Sequence, residues 1–77
     1  MNLFKLKEYN GEKLVYLYKP EGKGEWGEVV YAFTDNTAVI TKRAEEESIM
    51  HDNMALLKIR KQVEEKNLPI EFVQAWY

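Results

Sequence analysis

The sequence predicts a small α+β domain: two β-hairpins, one long helix and a C-terminal strand, in the order β-β-β-β-α-β, forming a mixed five-stranded sheet with the helix packed on one face. Three observations carry this reading. Two stretches of period-two alternation each fold back on residues suited to tight turns, Asn10-Gly11 and Asp35-Asn36. Helical periodicity spans residues 44–66. An apolar run after Pro69 is too rich in large side chains for a loose tail.

The first hairpin comprises strands at 3–9 and 12–19. With Asn10-Gly11 as the two central turn residues, Glu8 faces Lys13, Leu6 faces Val15 and Phe4 faces Leu17. The opposite face then gathers Lys5, Lys7, Tyr16 and Tyr18. Residues 19–28 hold three of the four glycines and one of the two prolines, which marks a loop. The second hairpin pairs 29–34 with 37–42 about Asp35-Asn36, with Tyr31, Phe33 and Ile40 inward and Thr34, Thr37 and Thr41 outward.

In the helix, Glu45, Glu46 and Glu47 crowd the first turn, where the backbone dipole favours negative charge. Ile49, Leu56, Ile59 and Val63 form one apolar stripe, with Met50, Met54 and Leu57 beside it. Asn67 is placed to end the helix, and Pro69 stops its continuation. The final strand, from Ile70 onward, is expected beside a parallel neighbour, the usual outcome of a strand–helix–strand crossover.

Length and composition bound the function. Seventy-seven residues form a single domain (1–77) with a thin core, and small domains often borrow stability from disulfides, metals or a second subunit. There is no cysteine and one histidine, so disulfides and Cys- or His-rich metal sites are excluded. A second copy or a protein partner is the remaining source of support. The net charge of −2 argues against nucleic acid as a partner. No apolar run is long enough to span a bilayer, and the N-terminus lacks a signal-peptide pattern, so a soluble cytoplasmic protein is expected.

Motifs that could carry chemistry do not hold together. Gly22-Lys23-Gly24-Glu25-Trp26-Gly27-Glu28-Val29 satisfies the G-x-G-x-x-G-x-V pattern that covers ATP phosphates in kinases. Yet the chain has no D-F-G triplet, nor room for the lobe that binds magnesium, so the stretch reads as a connecting loop. His51 lies one helical turn after Glu47, but two ligands do not make a metal site, and the wheel points His51 to solvent. Ser48, His51 and Asp52 are too close along one helix for an imidazole to bridge serine and carboxylate. No catalytic residue, cofactor or enzymatic activity is expected.

What remains is binding. Lys5, Lys7, Tyr16 and Tyr18 are expected on the sheet face away from the helix, and Trp26 and Trp76 are further anchors for an interaction surface. The primary expectation is a small protein-binding or regulatory module, self-association included. The alternative is single-stranded nucleic acid stacked on Tyr16 and Tyr18, with lysines meeting phosphates.

Overall fold

A computed structural model of the chain describes residues 1–44 and 49–75. Among these, β1 (Asn2–Tyr9), β2 (Lys13–Pro20), β3 (Gly27–Ala32) and β4 (Thr37–Lys42) precede α1 (Ile49–Glu64) and β5 (Glu71–Gln74). The five strands form one sheet in the order β4-β3-β2-β1-β5. The predicted α+β class and element order are therefore observed. Glu45, Glu46, Glu47 and Ser48 lie outside the described residues, as do Trp76 and Tyr77.

The sheet is antiparallel throughout, not mixed. β5 pairs with β1, Phe4 facing Phe72 and Asn2 facing Gln74, and runs opposite to it. The reason is a parity argument. A four-strand meander leaves β1 and β4 as its edges, and the helix carries the chain from one edge to the other. β5 then runs in the same direction as β4, as a crossover requires, but its neighbour is β1.

The first hairpin turns one residue later than predicted. The Asn10 amide donates to the Lys13 carbonyl at 3.2 Å, and the central pair is Gly11-Glu12. Gly11 takes φ +84° while Glu12 does not enter the left-handed region, the pattern of a type II′ turn. The Asn10 carboxamide oxygen holds the bend by accepting from the amides of Glu12 and Lys13, each at 3.0 Å. A one-residue slide of the turn moves the register by two. Lys7 then forms a bulge between Leu6 and Glu8 that takes one residue back.

The net slip of one beyond the bulge turns the strands over. Leu6 faces Tyr16 and Phe4 faces Tyr18, so both tyrosines point to the helix side with Phe4. The second hairpin also slips, Tyr31 facing Ala38 and Val29 facing Ile40, but by two, so its faces stay as predicted. Tyr31 is buried, while Ile40 and Phe33 pack against the core.

The core lies between the sheet and one side of α1. Phe4, Leu14, Tyr16, Tyr18 and Val29 meet Ala55 and Ile59 there. Phe4 stacks on Phe72 with centroids 4.7 Å apart, and Tyr16 meets both rings edge-on. The side of α1 that faces the sheet carries buried Asp52, Ala55, Ile59 and Gln62. Ile49, Met50 and Leu57, expected inside, are 71%, 59% and 61% exposed. The helix is rotated because its two buried polar residues have partners that replace water, and because Ala55 lets it approach the large tyrosine rings.

Asp52 accepts from the Tyr18 hydroxyl at 2.6 Å and from Arg43 Nε at 2.7 Å. Gln62 Nε2 donates to the Asn67 carbonyl at 2.6 Å. The helix ends in a Schellman arrangement: the Lys66 amide donates to Val63 O and the Asn67 amide to Gln62 O. The left-handed residue is therefore Lys66, at φ +56°, and not Asn67. A Lys66→Gly variant should gain roughly 0.5–1 kcal/mol, since glycine adopts this conformation without a Cβ penalty. A urea midpoint unchanged or lowered would contradict that expectation.

Candidate interaction surface

The sheet face opposite α1 is built by the alternate residues of each strand. β1 supplies Leu3 and Lys5, β2 supplies Val15, Leu17 and Lys19, and β3 supplies Glu28 and Val30. Val39 of β4 and Val73 of β5 extend it to both edges. Leu3 faces Val73, Leu17 lies between Lys5 and Glu28, and Val15, Val30 and Val39 form a row. The row exists because β-branched residues suit a pleated surface. Val39 at the end of this row and Val73 beside Leu3 are open, at 50% and 53% exposure.

Charged side chains run between these apolar residues. The bulge directs Lys7 across β2, where its ammonium meets Glu28 Oε2 at 2.9 Å. β1 and β3 are two strands apart, roughly 9–10 Å, so the lysine stem crosses the apolar row. Val15 beneath is only 4% exposed although α1 lies on the other face. Glu28 also accepts from Thr41 Oγ1 at 2.8 Å. The bond from Lys7, then that from Thr41, holds the Glu28 carboxyl below the usual glutamate range. Lys13 lies 3.6 Å from Glu8, an ion pair expected from the turn and kept despite the slip because it is now diagonal.

Of the predicted surface residues, Lys5, Lys7 and Trp26 belong to this side. Lys5 is exposed in the middle of β1. Trp26 is half-buried just before β3, with the Lys19 ammonium 4.4 Å above its ring centroid. Trp76 lies outside the described residues. Tyr16 and Tyr18 are corrected: both are 0% exposed and belong to the core under α1. Their hydroxyls are bonded inside, Tyr16 to the Pro69 carbonyl at 2.6 Å and Tyr18 to Asp52. A base could not stack on either ring without unfolding the domain, so the nucleic-acid alternative loses its stacking residues. Leu17 and Lys19 take their places on the open face.

The other candidate residues also find positions. His51 does not point freely to solvent: its side chain is 16% exposed, with Nε2 3.2 Å from Glu21 Oε1. Glu21 also pairs with the Met1 ammonium at 2.7 Å, and that bond, followed by His51, holds its carboxyl below the ordinary value. Glu21, Gly22 and Gly24 all adopt positive φ, so the glycine-rich segment is a tight connection between β2 and β3. No group of three or more metal-ligating side chains occurs among the described residues.

Sequence reasoning missed Asn2. It is fully buried, and its Nδ2 donates to His51 O at 3.0 Å and to Gln74 Oε1 at 3.2 Å. Gln74 Nε2 in turn donates to Met54 O at 2.9 Å, so two amides tie β1, β5 and the helix together. A polar residue second in the chain carries no periodic signal that could have revealed this.

No protein-family model, curated protein or solved structure matches this chain at a significant level.

Proposed function

We propose that this chain is a protein-interaction module that works as a homodimer, two copies meeting through the sheet faces that α1 leaves uncovered. The observation that carries this reading is the apolar row Val15-Val30-Val39 with Leu3, Leu17 and Val73, on a face that no element among the described residues covers. A two-layer domain buries one side of its sheet, and the other side is expected to be polar when it faces water alone. Here apolar residues reach both edge strands, at Val39 and Val73, with the mixed row Glu71-Lys5-Leu17-Glu28 running between them.

Size and charge favour a second copy as the occupant. The longer molecular extents are 30 and 21 Å, matching the length and breadth of a five-stranded sheet. Such a face offers on the order of 600 Å² per copy, or about 1,200 Å² for a pair, the lower bound for a stable interface. A two-fold contact places one surface against itself, which requires both signs of charge on that surface. Lys5, Lys7 and Lys19 alongside Glu8, Glu28 and Glu71 provide both. A domain of this size also gains from association, since its own core is small.

Sedimentation equilibrium tests the reading. The chain is expected to dimerise with a dissociation constant in the micromolar to sub-millimolar range, as for interfaces of minimal area. Val39→Lys and Val73→Lys should each weaken the dimer by roughly ten-fold, since each removes about 1–2 kcal/mol of apolar contact. Both positions are half exposed, so circular dichroism should show an unchanged fold. A chain that stays monomeric at about 1 mM would overturn the proposal.

A further inference from the structure

A groove on the helix side of the sheet, at the turn end of the first hairpin, is separate from the open face. Its volume is about 530 Å³ and it is lined by Tyr9, Phe33, Val63, Lys66 and Leu68. Sites for small molecules commonly fall between roughly 300 and 1,000 Å³, mostly apolar with a few polar groups. One wall is aromatic: the Tyr9 and Phe33 rings meet edge to face at 5.8 Å, and Tyr31 braces Phe33 at 5.1 Å. Val63 and Leu68 add aliphatic surface. Tyr9 remains 56% exposed.

Two polar groups at this groove have no internal partner among the described residues. The Lys66 ammonium is in no ion pair among the described residues, and the Tyr9 hydroxyl makes no hydrogen bond there. The backbone supplies an independent observation. Lys66 occupies the left-handed position that closes α1, where glycine is the residue without a steric penalty. Strain of this kind, retained by a non-glycine residue, points to a use for the side chain. At this position the side chain lines the groove.

We propose that the groove binds a small aromatic carboxylate, with its ring against Tyr9 and Phe33 and its carboxylate paired with Lys66 and accepting from the Tyr9 hydroxyl. An uncharged aromatic would cover the lysine without replacing its water. A bare inorganic anion would leave the aromatic wall unused. Ring and carboxylate together satisfy both parts of the site.

The test is amide chemical-shift mapping on the full chain, titrated with 3-phenylpropionate and separately with its uncharged amide. Saturable shifts should centre on Tyr9, Phe33, Val63, Lys66 and Leu68. The acid should bind roughly two- to five-fold tighter than the amide, the scale of a partly exposed ion pair. Lys66→Gln should abolish that preference while leaving amide binding intact, and Tyr9→Ala should weaken both ligands. Lys66→Gly should lose the preference too, and because this change relieves the backbone, the loss cannot be ascribed to unfolding. Equal affinities for acid and amide, a preference that survives both Lys66 variants, or no saturation by about 20 mM ligand would each overturn the proposal.

Discussion

Replacing Gly27 by alanine is expected to destabilise the domain by about 3 kcal/mol or more, the upper end for overpacking a core. A Cβ at this position would lie 2.3 Å from Tyr18 Cε1, 2.5 Å from Tyr18 Cζ and 2.7 Å from the Ala44 amide nitrogen. Real Cβ atoms do not approach neighbours this closely, so something must move. Tyr18 cannot move cheaply, because its hydroxyl is fixed between Asp52 and the Ala44 amide. Ala44 is itself buried, at 4% exposure, and its amide is part of the same bond. In a Tyr18→Ala background two of the three close atoms vanish, so the penalty for Gly27→Ala should shrink. Urea denaturation of the four proteins in this cycle measures both the cost and the coupling. A Gly27→Ala variant within about 0.5 kcal/mol of the parent would mean that the ring has room it does not show.

Gly27 also shows where the sequence was legible and where it was not. It lies in the glycine-rich stretch that resembles a phosphate loop, yet its lack of a side chain serves the tyrosine facing it, Tyr18. The pattern Gly-x-Gly-x-x-Gly cannot distinguish glycine for a ligand from glycine for a ring. The elements themselves were readable because alternation, helical periodicity and turn residues all agree along the chain.

Register was less readable. Both Asn10-Gly11 and Gly11-Glu12 can be the centre of a two-residue turn, and the choice depends on whether Asn10 takes positive φ or instead caps the bend with its carboxamide. The bulge at Lys7 has no composition signal of its own. Together these decided which face Tyr16 and Tyr18 occupy, and hence which residues form the open surface. The helix face was misjudged for a related reason. Asp52 and Gln62 read as solvent-facing in any hydropathy pattern, and only the tertiary partners Tyr18 and Arg43, for Asp52, and Asn67, for Gln62, make their burial favourable.

Burial of the two tyrosines predicts a sharp alkaline transition. Desolvation raises the Tyr16 hydroxyl from 10.0 to about 12. Desolvation, followed by the hydrogen bond to Asp52, raises Tyr18 to about 12 as well. Ionisation would set a phenolate against the Pro69 carbonyl in one case and against the Asp52 carboxylate in the other. The folded values exceed the unfolded value, so the stabilisation is complete below pH 10 and is lost as pH rises from about 10 to about 12.

Each pH unit across that window costs about 1.4 kcal/mol per tyrosine, and the two together remove on the order of 5 kcal/mol. That is comparable to the whole stability of a small domain. Unfolding, followed by circular dichroism at 222 nm, should therefore occur between pH 10 and 12, with a late step in tyrosinate absorbance at 295 nm that coincides with it. Tyr16→Phe should lessen the steepness of the transition by removing one of the two ionisations, and the same applies to Tyr18→Phe. If all five tyrosines ionise together near pH 10 while the dichroism stays native, these rings are open to water and the inward placement of β2 is wrong.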